Sequence, residues 1–176
     1  PILLEGPPEP DIINKIFYEE KQTLFFGVPT LFAILLASDN LPTKDEHNIR
    51  LCISAGEPLP SDLLARWQGT FGVDILDGLG TTEMLHIFVS NRPDEITPGS
   101  TGRVVPGYQI RLINDNNEVC TPGEMGVLEV SGPSSALMYW GQRQKTKDTF
   151  KGTWTRTGDN YSISEKGVMT YGGRND

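Results

Sequence analysis

Asp77-Gly78-Leu79-Gly80-Thr81-Thr82-Glu83 is the stretch on which the reading of this chain turns. The residues before it, Val73 to Leu76, read as a buried strand, so a Gly-rich turn is expected at that strand's carboxyl end. Glycine has no Cβ, and two of them let the backbone come close to a neighbour or a ligand. Amide and hydroxyl donors hold phosphate oxygens. A carboxylate is a hard oxygen ligand suited to Mg²⁺. The same residues also suit a plain helix start with an acidic first turn, so the segment by itself leaves both readings open.

Toward the amino terminus, strand and helix signals alternate. Ile2 to Leu4 is a short apolar run. Ile12, Ile13, Ile16 and Phe17 fall at helical spacing between Pro8 and Glu20, with Asp11 suited to the first turn. Thr23 to Phe26 reads as a strand, and Pro29 opens a helix over Thr30 to Ala37. Ile49 to Ser54 is a second strand. Ser61 is the expected cap of a helix over Asp62 to Thr70. This βαβαβ rhythm predicts a parallel half-sheet with helix crossovers. In such sheets ligands sit beyond the carboxyl ends of the strands, where the loops Ala55 to Pro58 and Asp77 to Glu83 fall.

Past Pro93 to Gly99 the rhythm changes to short strands with turn signals: Gly102 to Val105, Gln109 to Ile113, Gly126 to Val130, Trp154 to Thr155 and Val168 to Tyr171. Asn114-Asp115-Asn116-Asn117 is a hairpin turn sequence, and Gln142 to Phe150 is a short helix. The expected fold is α/β, a parallel half-sheet followed by a small antiparallel, barrel-like β subdomain. The expected division is 1–97 and 98–176.

The chain has 176 residues and a formal net charge of −8. That charge argues against duplex nucleic acid or an anionic membrane as partner, since both need clustered Lys and Arg. No apolar stretch approaches the roughly 20 residues of a spanning helix. Cys52 and Cys120 read as unpaired thiols of a reducing, cytoplasmic compartment. Neither has a Cys or His at metal-ligand spacing. His47, among Lys44, Asp45 and Glu46, reads as a surface residue, and Tyr139, Trp140 and Trp154 as packing for the β subdomain. The opening on Pro1 and the stop at Asp176 read as those of a piece of a longer protein.

Seven short motifs occur in one order: Phe26-Gly27-Val28-Pro29-Thr30, Ala55-Gly56-Glu57-Pro58, Gly80-Thr81-Thr82-Glu83, Thr101-Gly102-Arg103, Gly123-Glu124-Met125-Gly126, Thr157-Gly158-Asp159 and Gly173-Arg174-Asn175-Asp176. Together they resemble the adenylate-forming superfamily of acyl- and aryl-CoA synthetases, luciferases and adenylation domains. The run Gly80 to Phe88 is most similar to benzoate-CoA ligases. The resemblance implies part of an acetyl-CoA synthetase-like fold, with a phosphate loop before Pro1 and a small lysine-bearing domain after Asp176. It implies a carboxylic acid, ATP and coenzyme A as substrates, with Mg²⁺ as cofactor and AMP as product. The isolated chain is expected to be inactive.

The resemblance also implies residue roles. Thr82 corresponds to the donor to the α-phosphate and Glu83 to the Mg²⁺ ligand, together the catalytic pair. Gly56, Glu57 and Pro58 correspond to the segment on the adenine face, and Asp77 to the position near the adenine amino group. Gly78, Gly80 and Thr81 belong to the same nucleotide-binding segment. Asp159 corresponds to the carboxylate that accepts the ribose hydroxyls, Arg174 to a ribose-contacting arginine, and Asp176 to the hinge. Phe26, Ala55, Gly78, Gly80, Leu85 and His86 would line the acyl slot. One departure is Leu79, where the wider family usually has an aromatic residue, which bears on how adenine or the acid is seated. The acceptor stays open between free coenzyme A and a carrier-protein thiol, and a non-catalytic binding module is the rival from another class. Oligomeric state is not readable from the sequence.

Overall fold

The computed structural model describes Ile2 and residues 5–174. Most of the expected run Ile2 to Leu4, and the hinge residue Asp176, therefore lie outside the described residues. By compactness the chain divides after Asp77, within the strand that carries the opening motif.

The first unit follows the βαβαβ expectation. Helix α1 (Pro10–Glu19) begins with proline at its first position and buries Ile13, Asn14 and Phe17. Strand β1 (Leu24–Gly27) pairs in parallel with β2 (Leu51–Ala55), and β2 neighbours β3 (Ile75–Gly80). Helix α2 (Pro29–Leu36) crosses from β1 to β2, and α3 (Ser61–Phe71) from β2 to β3. In α3, Leu63, Trp67 and Phe71 recur every four residues and are all buried, so they share one face. Alternation along β1 turns Phe25 inward and leaves Phe26 64% exposed.

The core of this unit is aromatic. Trp67 stacks on Phe71 at 4.0 Å between centroids and meets Phe32 edge-on at 4.8 Å. Phe17 meets Phe25 edge-on at 5.1 Å. These are the favoured offset and T-shaped arrangements. Cys52 lies fully buried on β2, and burial pushes its thiol up to about 12, which keeps it protonated and inert.

Two expectations are corrected here. Ser61 is the first helical residue of α3; Pro60 occupies the cap position and no side chain caps the helix. His47 is buried, not on the surface. Its Nε2 donates to the Phe71 carbonyl at 3.2 Å, and its Nδ1 accepts the Ile49 N–H at 3.1 Å. One neutral tautomer satisfies both bonds and occupies a carbonyl that the end of α3 would otherwise leave without a partner.

In the second unit the Gly78–Gly80 end of β3 pairs antiparallel with β4 (Ile87–Ser90), which pairs with β5 (Arg103–Val104). The Gly-rich segment is thus strand, not turn, and the chain turns only after Gly80. The glycines serve the chain's own packing. A Cβ on Gly80 would lie 2.7 Å from the His86 carbonyl oxygen, and one on Gly78 would lie 2.9 Å from Ile87. Gly102 is needed twice over: its φ is +91°, and a Cβ would meet Ser90 and Asn91 backbone at 2.3 Å.

A second, antiparallel sheet runs β10-β9-β7-β6, from β6 (Gln109–Ile113), β7 (Met125–Ser131), β9 (Trp154–Ile163) and β10 (Met169–Arg174), with β8 (Phe150–Lys151) beside β9. Helix α4 (Arg143–Thr149) matches the expected short helix. Met84, Phe88, Val89, Leu112, Leu128, Val130, Tyr161 and Met169 form the core, with Leu79 packed against it. Leu79 therefore faces protein interior. Arg111 and buried Glu129 face each other across β6 and β7, joined at 2.7 Å, and the guanidinium lies 4.3 Å over Trp154. Trp154 packs as expected, whereas Trp140 is 93% exposed and does not pack the β subdomain's interior. Among the described residues no helix is long and apolar enough to cross a membrane.

Candidate nucleotide and acid site

In the first unit the loop after β2 carries Gly56, Glu57 and Pro58, all exposed. Gly56 has φ +93°, which turns the chain sharply as it leaves the strand. The Thr30 hydroxyl at the start of α2 donates to Glu57 Oε2 at 2.8 Å. Two of the sequence motifs, around Pro29-Thr30 and Gly56-Glu57, are thereby tied together. Ala55 is half-buried at the end of β2, and Phe26 projects outward from β1. Asp77 is buried at the end of this unit's part of β3 and has a polar partner.

In the second unit the chain leaves β3 through Thr81 and makes one turn of 3₁₀ helix, Thr82–Met84. Met84 is the buried anchor of that turn; Thr82 faces out and Glu83 is half-buried. Leu85 follows with φ +68° and 80% exposure, and His86 is exposed beside it.

Glu83 is held from the segment before α4. Tyr139 donates its hydroxyl to Glu83 Oε1, the Ala136 N–H donates to the Glu83 carbonyl at 2.7 Å, and the Ser134 hydroxyl donates to the Met84 carbonyl at 2.7 Å. Burial acts to raise the Glu83 carboxyl, but hydrogen bonds from Tyr139, a backbone N–H and the Thr81 hydroxyl, with nearby Lys145, outweigh it and leave it below the usual carboxylate range. That Thr81 hydroxyl is itself buried.

Asp159 and Arg174 come together on the second sheet. Opposite the single residue Leu128 of β7, strand β9 carries three, Thr157, Gly158 and Asp159. The Thr157 hydroxyl bonds the Leu128 carbonyl at 3.0 Å and accepts the Asp159 N–H at 3.1 Å, which fixes the bulge. Gly158 takes φ +79° within it. Asp159 pairs with Arg174 across the ladder, and Arg174 Nη1 lies 3.3 Å from Asp159 Oδ1. The sequence reading took Thr157-Gly158-Asp159 as a likeness only; the bulge is what makes the motif.

The residues that sequence reasoning missed are Ser134 and Tyr139. Tyr139 was grouped with Trp140 and Trp154 as packing, but an aromatic residue just ahead of a polar helix is also where a hydroxyl can reach across to a neighbouring turn.

Among the described residues no group of three or more His, Cys, Asp or Glu converges on a metal position. Mg²⁺ is commonly held by one or two carboxylates, with water and substrate phosphates completing its shell. An ionised Glu83 beside the buried Thr81 hydroxyl is a donor set of that kind.

The sequence profile of AMP-binding enzymes matches residues 2–140. A benzoate–CoA ligase of Thauera aromatica is 48% identical over 99% of this chain and 33% of its own length. A solved benzoate CoA ligase from Burkholderia xenovorans LB400 superposes with a TM-score of 0.92 at 47% identity, over 95% of this chain and 34% of that one. The anthranilate CoA ligase AuaEII, solved in complex with anthranoyl-AMP, gives 0.87 at 39% identity, over 94% and 32%. The chain spans about a third of the length of these relatives. It has their α/β fold in part, and it belongs to the family of AMP-binding enzymes.

Proposed function

We propose that this chain is part of a longer AMP-forming acid–thiol ligase that joins a benzoate-like carboxylic acid to coenzyme A. The reaction has two halves. The acid's carboxylate attacks the α-phosphorus of ATP, forming an acyl-adenylate and releasing pyrophosphate. The thiol of coenzyme A then attacks the acyl carbon and releases AMP. Catalysis of the first half is a matter of alignment and of charge stabilisation more than of covalent chemistry by the protein.

What supports this reading most is the turn after β3, where a half-buried Glu83 is held charged by Tyr139 and the buried Thr81 hydroxyl. Bound Mg²⁺ would neutralise charge on the phosphate oxygens there, held by Glu83. Thr82 would donate to the α-phosphate, with Gly78, Gly80 and Thr81 in the same segment. Gly56, Glu57, Pro58 and Asp77 would receive the adenine, and Asp159 with Arg174 the ribose. Phe26, Ala55, Gly78, Gly80, Leu85 and His86 would border the acid. The division 1–97 and 98–176, the hinge at Asp176 and a cytoplasmic setting belong to the same proposal.

The test is pyrophosphate release by the longer protein that carries this chain, given ATP, Mg²⁺ and a panel of carboxylic acids, with and without coenzyme A. Release that depends on benzoate or a close aryl acid, followed by the aryl thioester, is the expected result. Release without thioester would point to a carrier-protein acceptor. No release with any acid would refute the enzyme reading.

Asp159 supplies a sharper check. Asp159→Asn keeps the shape and removes the charge. A hydrogen bond to a charged group contributes about 1.5–3 kcal/mol, so the KM for ATP is expected to rise by about tenfold or more, with the KM for the acid little changed. An unchanged KM for ATP would remove Asp159 from the ribose site.

A further inference from the structure

We propose that Tyr139 is a positioning residue for Glu83, and that the segment Ser134–Tyr139 with α4 is a brace setting the direction of that carboxylate. The inference rests on the reading of Glu83 as the residue that meets the metal.

The brace has a foot at each end. At one end the Ser134 hydroxyl bonds the Met84 carbonyl at 2.7 Å and is itself bonded to the Tyr108 hydroxyl at 2.8 Å. Gly132 lets the Tyr108 ring come in, since a Cβ there would lie 2.3 Å from it. In the middle the Ala136 N–H takes the Glu83 carbonyl, and the neighbouring Ser135 hydroxyl meets buried Thr155 at 2.9 Å. At the other end the Tyr139 hydroxyl takes Glu83 Oε1.

Tyr139 is fixed in turn. Its N–H donates to Thr146 Oγ1 at 3.0 Å, its ring packs on Phe150 at 5.6 Å, and Lys145 Nζ lies 4.2 Å over the ring face. A phenol hydroxyl facing a carboxylate oxygen is the donor of the pair. A carboxylate has about four lone-pair sites on its two oxygens. Accepting one hydrogen bond on Oε1 orients the group and leaves it able to ligate. Glu83 stands on a single 3₁₀ turn between exposed Thr82 and buried Met84. Such a short turn does not fix a three-torsion side chain, whereas a second anchored side chain does.

The experiment uses the longer protein carrying this chain, with Tyr139→Phe and Glu83→Gln alone and together. Tyr139→Phe keeps the ring against Phe150 and Lys145 and removes only the hydroxyl. It is expected to lower kcat for acid-dependent pyrophosphate release about tenfold and to raise the Mg²⁺ concentration for half-maximal rate, the range seen on losing an outer partner of a metal ligand. The KM for the acid should stay put. In the Glu83→Gln background the same change should alter the rate by less than about twofold, because residues acting as one unit are not additive. An equal loss in both backgrounds, or no loss in either, overturns the proposal.

A second readout does not depend on turnover. In urea unfolding of the same four proteins, Tyr139 and Glu83 are expected to be coupled by about tenfold in the unfolding constant. Coupling below about twofold would overturn the proposal. If the unsubstituted protein releases no pyrophosphate with any acid, the ligase reading fails while this coupling still decides the brace.

Discussion

Glu83→Ala in the longer protein is expected to lower acid-dependent pyrophosphate release on the order of 100-fold or more, the scale on which losing one stabilising group at a developing charge is felt. The loss should be specific to chemistry. Glu83 is half-buried and lies outside the apolar core, which is anchored at this turn by Met84. The main-chain bonds from Ala136 to the Glu83 carbonyl and from Ser134 to the Met84 carbonyl do not involve the carboxylate. Circular dichroism should therefore stay close to that of the unsubstituted protein, and the unfolding constant should change by no more than about tenfold, the loss of the Tyr139 hydrogen bond. The decisive comparison is the rate at saturating ATP across a Mg²⁺ titration. A rate within about threefold of the original would remove Glu83 from the metal site, since one missing hydrogen bond alone has an effect of that order.

The second large effect concerns stability. Trp67→Ala is expected to destabilise the first unit by about 3–5 kcal/mol, the range for truncating a buried aromatic residue. Trp67 is fully buried and touches Phe25, Phe32 and Phe71, so its removal leaves a void that three rings cannot close without leaving their stacked and edge-on positions. Whole domains are stable by only about 5–15 kcal/mol. A low yield of folded protein is the accompanying expectation. Urea unfolding followed by far-ultraviolet circular dichroism measures the loss, and Trp67→Phe should recover a large part of it. A change below about 1 kcal/mol would mean that the aromatic cluster is not the core described here, because ordinary surface substitutions fall in that range.

Legibility in the sequence followed periodicity. Helix α1 was plain from Ile12, Ile13, Ile16 and Phe17 at helical spacing and α2 from the proline at its start, whereas α3 was found from Ser61, which is its first residue and not its cap. Strands β1, β2, β6 and β7 emerged from apolar and β-branched runs between Gly and Pro. What was hidden was set by distant partners. Strand β4 followed the Glu83 turn so closely that Met84 to Phe88 read as a continuation of the motif. Gly158 broke the pattern of β9 and shortened the expected strand, when in fact the ladder resumes beyond it. His47 looked exposed among charged neighbours, because the carbonyl it satisfies is 24 residues away. Of the candidate site, the residue types and their order were readable. The support given to Glu83 by Tyr139 was not, since it joins positions 56 residues apart.

The excursion of β9 at Thr157-Gly158-Asp159 has a consequence for how the length of this chain can vary. Side chains alternate along a strand with period two. Three residues facing one is an excess of two, an even number, so the strand rejoins its partner with the same side facing inward, and Tyr161 returns to the core. Loss or gain of a single residue here would invert every later position of β9, placing Tyr161 in solvent and polar neighbours in the interior. Lineages carrying this fold should therefore tolerate length changes at this point in steps of two, so that the carboxylate's loop can be lengthened or shortened without turning over the strand behind it.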